Sequence, residues 1–211
     1  MSICMKISEA VQKGKRDVNV LVQQALDEGL SPKTILDEGL LAAMDIIGEK
    51  FKNNEIYVPE MLIAARAMSI GTELLKPHLV EAGVQAIGKI ALGTVKGDLH
   101  DIGKNLVRMM MEGKGIEVID LGVDVPAERF VEAYEKEGVS IIACSALLTT
   151  TMGEMKNVVD LLVEKGYRDK VTVMVGGAPI TGSYCKSIGA DYYTADAASA
   201  ADVAKKVLLG A

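Results

Sequence analysis

Hydrophobic positions change their rhythm once along the chain. From the amino end to about His78 they recur at helical spacing, and each break carries a capping signal. A short helix is expected near Ser8 to Lys13 and a second from about Arg16 to Glu28, ended by Gly29. Ser31-Pro32 supplies an N-cap and a first-turn proline, after which Leu36, Leu40, Ala43, Ile47 and Phe51 share one face. A turn at Asn53-Asn54 follows. Pro59 then opens a helix whose Leu62, Ala65, Met68, Thr72, Leu75 and Leu79 form another stripe. About four such helices bury their stripes against one another as a small bundle.

Helical periodicity stops in the stretch Glu81–Gly88, and strand and helix patterns alternate beyond it. Expected strands are Lys89–Thr94, Glu117–Leu121, Ile141–Ser145, Val171–Val175 and Asp191–Tyr193. Expected helices are Ile102–Gly113, Pro126–Glu137, Gly153–Lys165, Gly182–Ile188 and Ala197–Leu209. Five βα units imply a parallel sheet covered on both faces with right-handed crossovers. The fold class is therefore α/β: a four-helix bundle over residues 1–86, then a flavodoxin-like, Rossmann-type five-stranded domain over residues 87–211. In the flavodoxin-like order the first and third strands are neighbours at the switch point, where such sheets bind ligands.

Composition narrows the function. The chain has 211 residues, a formal charge of −6, and basic residues scattered rather than clustered, which argues against a nucleic-acid surface. Apolar runs such as Ile141 to Leu148 are too short to span a bilayer, the first residues lack the order of a signal peptide, and a cytoplasmic location is expected. Cys4, Cys144 and Cys185 are odd in number and far apart, as for reduced thiols, with Cys144 a core residue.

The chemistry concentrates in Thr94-Val95-Lys96-Gly97-Asp98-Leu99-His100-Asp101-Ile102-Gly103, between the first expected strand and its helix. Asp98 and His100 lie two residues apart in a glycine-bounded turn. A carboxylate there can reach one imidazole nitrogen and leave the other free for a metal, the pattern that orients ligating histidines. The third strand ends in Ser145-Ala146-Leu147 and the fourth in Gly176-Gly177-Ala178, so three adjacent strand ends offer an imidazole, a hydroxyl and two residues without bulk. Glycine there admits a large ligand close to the backbone, which points to a slot beside the histidine. His100 can also be read as an ordinary loop histidine, and Thr149-Thr150-Thr151 as an N-cap run for the following helix. Zinc needs three or four protein ligands, and neither the second histidine, His78, nor any cysteine is close in sequence. A phosphoacceptor receiver fails for want of an aspartate at the end of the third strand. Gly93, Gly97 and Gly103 lack the dinucleotide-binding spacing. The methionines, among them Met61, Met68 and Met109-Met110-Met111, read as core filler.

Asp98-x-His100-x-x-Gly103, forty-one residues, Ser145-x-Leu147, twenty-eight residues and Gly176-Gly177 together resemble the signature of the cobalamin-binding domain. The amino-terminal bundle resembles the helical cap that precedes this domain in methionine synthase and in corrinoid proteins of methyltransferase systems, and Phe51, Val58 and Pro59 match the cap's Phe-x6-aliphatic-Pro pattern. The resemblance implies a bound corrinoid (cobalamin, methylcobalamin when loaded) with His100 as the lower cobalt ligand and Asp98 holding its other nitrogen. Thr151 stands where methionine synthase completes the chain with serine. Asp101, Ile102 and Gly103 would flank the ligand. Ser145, Leu147, Thr149, Gly176 and Gly177 would line the slot for the displaced nucleotide tail, and Phe51 and Val58 would cover the upper face. The implied activity is that of a methyl carrier between a substrate:corrinoid methyltransferase (methylamine, methanol, methoxyl or betaine type) and a second methyltransferase acting on tetrahydrofolate or a thiol, served by a reductive activase. Nothing in the chain resembles a substrate barrel, so catalysis by the protein alone is not expected. A cobalamin-dependent sensor and a mutase subunit are the alternatives within the same resemblance.

Overall fold

The computed structural model describes residues 1–210. The chain divides into two compact units, one of Met1–Ala86 with Gly113–Gly115, the other of Ile87–Glu112 with Ile116–Ala211.

The first unit is helical. Helix α1 (Ile3–Gln12) begins earlier than expected because Ser2 is its N-cap, its hydroxyl accepting the Met5 N–H at 3.2 Å. Ser8, taken from the sequence as a helix start, lies inside the helix and is buried. Helix α2 spans Val18–Asp27, and Gly29 follows it at φ +84°. Ser31 caps α3 (Pro32–Thr34) through the Thr34 N–H at 3.0 Å. The helix then widens into a π stretch, Ile35–Leu41, before resuming as α4 (Ala42–Lys52). Gly39 sits in that stretch with Ile7 of α1 so close that an added Cβ would lie 3.1 Å from its Cγ2. Helix α5 (Val58–Glu81) opens at Tyr57, whose N–H donates to Glu60 Oε2 at 3.1 Å. Its buried face is Met61, Ala64, Ala65, Ala67, Met68, Gly71 and Leu75, so the expected stripe is out of step at its start: Leu62 is exposed. A Cβ on Gly71 would meet Leu40 and Val18 at 2.8 and 2.9 Å, which explains why the helices approach so closely there.

The second unit alternates β1 (Lys89–Val95), α6 (Ile102–Glu112), β2 (Glu117–Val125), α7 (Ala127–Glu137), β3 (Ile141–Ser145), α8 (Gly153–Glu164), β4 (Thr172–Gly176), α9 (Gly182–Ser187), β5 (Tyr192–Tyr193) and α10 (Ala197–Leu209). All pairings are parallel, in the order β2-β1-β3-β4-β5, as the flavodoxin-like reading requires. Parallel strands buried on both faces read as continuous apolar runs rather than alternating ones, which is how β1, β3 and β4 are written. On one face Ala91, Val95, Ile142, Cys144, Val173 and Val175 pack against Phe130 of α7, Val158 and Leu162 of α8 and Cys185 of α9. Helices α6 and α10 pack against each other elsewhere in the unit.

Two features place the strand ends. Thr94, Ser145 and Gly176 lie side by side in register at the carboxyl edge. The edge strand β2 is bulged: between the pairs Leu92↔Asp120 and Val95↔Val125, β1 advances three residues and β2 five. This is why β2 runs four residues past the expected Leu121. Its bulges fall at Gly122 and Asp124, residue types that read as a turn.

Gly177 has φ +129°, and a Cβ there would lie 1.8 Å from the Ala146 carbonyl oxygen; at Gly176 the nearest atom would be 3.7 Å away. Gly177→Ala is expected to cost about 3 kcal/mol or more, and Gly176→Ala less than about 1. Equal denaturation midpoints for the two variants would contradict this account of the exits from β3 and β4.

Candidate functional site

The site is built on the turn that leaves β1. The Asp98 N–H closes this turn on Val95 O at 3.2 Å, with Gly97 at φ +79°. The turn sends the Asp98 side chain inward, where it has no solvent exposure. Its carboxylate accepts from five donors. Oδ1 takes the His100 N–H at 3.1 Å and His100 Nδ1 at 2.7 Å; Oδ2 takes the N–H groups of Leu147 and Leu148 at 2.8 and 3.2 Å and the Thr151 hydroxyl at 2.8 Å. Burial by itself pushes this carboxyl up. The His100 imidazole, the Leu147 and His100 N–H groups and the Thr151 hydroxyl outweigh it and hold the group well below the usual carboxylate range.

Because the carboxylate accepts from Nδ1, the neutral imidazole carries its proton there and its lone pair on Nε2. Nε2 has no hydrogen-bond partner among the described residues, and the ring is half exposed. The backbone of His100 is fixed as well: buried Thr94, at the end of β1, donates its hydroxyl to the His100 carbonyl at 2.8 Å. Thr151 is not spent on capping α8, whose N-cap is Met152 and makes no side-chain capping bond. Its single proton faces two acceptors, Asp98 Oδ2 and Leu148 O at 3.0 Å, so the hydroxyl can serve either. The structure thus joins His100, Asp98 and Thr151 into one hydrogen-bonded chain, with the threonine methyl no obstacle.

The other residues singled out from the sequence sort into groups. Ser145 and Gly176 are half-buried neighbours at the strand ends; Leu147 and Thr149 are exposed in the loop after β3. A Cβ on Gly176 would make only an ordinary contact, 3.7 Å from the Thr194 carbonyl oxygen. Gly177 leaves no such room: a Cβ there would collide with the Ala146 carbonyl of the protein's own backbone, a requirement of strand packing that the sequence did not reveal. Asp101 is turned to Asn105, whose Nδ2 donates to it at 3.1 Å. Ile102 and Leu99, on either side of His100, are 73% and 72% exposed, and Gly103 has no neighbour within 4 Å of a Cβ position. Large apolar side chains this exposed beside an unpaired imidazole nitrogen form a surface suited to a broad, largely apolar ligand. Phe51 and Val58 are half-buried in the helical unit, one near the end of α4 and the other at the start of α5. Among the described residues no cluster of three or more His, Cys, Asp or Glu is arranged to hold a metal, and no helix is long and apolar enough to cross a membrane. Cys144 is core, its thiol pushed up to about 12 by burial.

Thr94, Asp124 and the Lys104–Asp120 pair were not assigned a role from the sequence. Thr94 holds the His100 carbonyl, and its only signal was a hydroxyl closing an apolar strand. Buried Lys104 donates to Asp120 Oδ1 at 2.6 Å, and the same oxygen accepts the Gly122 N–H at 3.0 Å across the first bulge of β2. Burial pushes the Asp120 carboxyl up, but the Lys104 ammonium and the Gly122 N–H bring it below its ordinary value. Asp124, at φ +53°, accepts the Gly97 N–H on Oδ1 at 2.6 Å, and its own N–H donates to Asp98 O at 2.9 Å.

Comparison with known proteins agrees with this arrangement. Residues 88–204 match the B12 binding domain, and residues 4–76 match a second model of the same description, the one that covers the helical unit. The chain is 39% identical over 212 residues, 99% of its length and 98% of the relative's, to a corrinoid protein, DSY3155, of Desulfitobacterium hafniense (strain Y51). It is 40% identical over 207 residues, 98% of its length and 97% of the relative's, to the dimethylamine corrinoid protein of Methanosarcina barkeri. The crystal structure of the methanol:cobalamin methyltransferase complex MtaBC from Methanosarcina barkeri contains a chain with TM-score 0.89 and 31% identity, covering 99% of this chain and 80% of that one. With both units matched and the sheet order, the glycine-bounded turn and the strand-end residues in place, the chain belongs to the B12-binding, or corrinoid, protein family.

Proposed function

We propose that this protein is a methyl carrier that holds a corrinoid, with His100 as the residue that would ligate the cobalt. One observation carries the reading: Nε2 of a half-exposed imidazole is unpaired while Nδ1 is held by a fully buried carboxylate. The residues fit the group. Leu99 and Ile102 offer apolar surface beside the ligating nitrogen, and Ser145, Leu147, Thr149 and Gly176 border the strand ends where the nucleotide tail would lie, beside the backbone approach that Gly177 permits. When bound, the corrinoid supplies a cobalt centre able to take up and release a methyl group. The protein's share is orientation and proton placement. Asp98 keeps the Nδ1 proton in place, so the lone pair always faces outward; Thr94 and the Asp98 oxygen Oδ1 fix the backbone from which the ring projects. An imidazole held against an anion is a stronger donor to a metal than a free one. The Thr151 hydroxyl lies within hydrogen-bond reach of both Asp98 Oδ2 and the Leu148 carbonyl.

The carrier role is supported by the relatives named for dimethylamine and for methanol methyl transfer. On this reading the methyl group arrives from a substrate:corrinoid methyltransferase acting on a methylated amine, methanol, a methoxyl compound or betaine. It leaves to a second methyltransferase acting on tetrahydrofolate or a thiol, and a reductive activase restores inactive protein. Methyl transfer from candidate donors, each with its partner enzyme and this protein loaded with corrinoid, tests the donor class.

His100→Ala is expected to retain corrinoid but lose the absorption signature of imidazole-ligated cobalt; an unchanged spectrum would sink the assignment. Asp98→Asn puts an amide where five donors converge on a carboxylate, so one N–H₂ must face other donors. A loss of about 1–3 kcal/mol in the apoprotein at pH 7 is expected by denaturation. The folded carboxyl is depressed, so its contribution is present above the ordinary carboxylate pKa, about 4, and fades as pH falls below it. The stability difference between the two proteins should therefore shrink under acid; a difference constant from pH 7 to pH 3 would contradict the assignment of that charge.

A further inference from the structure

Asp124 lies outside the His100–Asp98–Thr151 chain and is exposed, yet the backbone is arranged to bring it there. It is one of two non-glycine residues among those described with φ in the left-handed region, the other being Asn54 in the turn after α4. Such a conformation costs a non-glycine residue about 1 kcal/mol, and aspartate tolerates it better than most. β2 also uses two residues more than β1 over the same stretch, and the second excess residue falls at Val123-Asp124. Bulges of this kind re-aim side chains near functional sites. Here the result is two hydrogen bonds on consecutive residues of the β1 turn: Gly97 N–H to Asp124 Oδ1 at 2.6 Å, and Asp124 N–H to Asp98 O at 2.9 Å. The turn is thus gripped from the β2 side through its backbone, while the β3 side grips it through the Asp98 carboxylate.

We propose that Asp124 is a positioning residue for the cobalt ligand: its carboxylate and its N–H clamp the peptide that carries Asp98, and so set the direction in which His100 presents Nε2. This rests on the reading of His100 as that ligand. A carboxylate that grips a backbone N–H forms a charge-assisted hydrogen bond, stronger than one between neutral groups. Its loss leaves the β2 side holding the turn only through the Asp124 N–H to Asp98 O.

Two substitutions separate the carboxylate from the backbone conformation. Asp124→Gly keeps the left-handed turn and the N–H to Asp98 but removes the acceptor for Gly97. Asp124→Asn keeps both an acceptor oxygen and tolerance of positive φ. Two readouts are taken: amide hydrogen exchange of Gly97 by NMR in the apoprotein, and the fraction of imidazole-ligated cobalt by absorption after loading with methylcobalamin, at equal corrinoid content. For Asp124→Gly the Gly97 amide is expected to exchange about tenfold faster and the ligated fraction to fall by about twofold or more. Asp124→Asn is expected to restore both toward wild type, which a general loss of stability would not produce. Wild-type protection of Gly97, or an unchanged ligated fraction, in Asp124→Gly would overturn the proposal. Should the wild-type protein itself show no imidazole-ligated cobalt, the His100 reading fails and the positioning role falls with it. Gly97 exchange then still reports whether the clamp exists.

Discussion

A buried carboxylate with no cation beside it dictates how the carboxyl edge of the sheet is built. Removing such a group from water costs several kcal/mol even after relaxation. Hydrogen bonds to a charged acceptor return about 1.5–3 kcal/mol each. Five donors together are enough to offset the penalty. The donors come from three places: the N–H and Nδ1 of His100, the N–H groups of Leu147 and Leu148, and the Thr151 hydroxyl. The loops after β1 and β3 are therefore held at fixed separation by electrostatics, beyond what strand pairing imposes.

Function and topology meet in that carboxylate. It selects the imidazole tautomer, and it can do so rigidly because its other oxygen is tied to a neighbouring strand. The order β2-β1-β3-β4-β5 makes β1 and β3 adjacent, so residues about fifty positions apart share one anion. The same order puts bulged β2 on the opposite flank, where Asp124 meets the turn. A histidine on a free loop would present its nitrogen in many directions; here each neighbour of β1 removes part of that freedom before any ligand arrives. Beside His100 the apolar side chains of Leu99 and Ile102 are left exposed.

Element types and strand order were legible in the sequence because buried parallel strands are written as apolar runs and the helices between them as stripes. Boundaries were less so where a local rule pointed the wrong way. Ser8 has the composition of a cap but lies within α1, since Ser2 had already begun it. Gly122 and Asp124 have the composition of a turn but continue β2 as bulges. Leu62 belongs to an apolar stripe by spacing but faces outward, because close packing at Gly71 sets the rotation of α5. In the site, His100 and Asp98 could be named from residue type and spacing, and Thr151 from the family resemblance. Thr94 and Asp124 could not, because a hydroxyl at a strand end and a carboxylate in a bulge acquire their roles only from a backbone group of another segment.

The sequence by itself determined the class of fold, the family and the chemical identity of the groups at the strand ends, since periodicity and short-range spacing are local properties of a chain. The tertiary structure decided which of those groups touch. It showed that Thr151 donates to Asp98 rather than capping a helix, that Gly177 makes room for the Ala146 carbonyl, and that Asp124 reaches Gly97. Each of these depends on distances between segments far apart in the chain, and such distances are fixed only when strands pair in register and one buried charge must find all its partners at once.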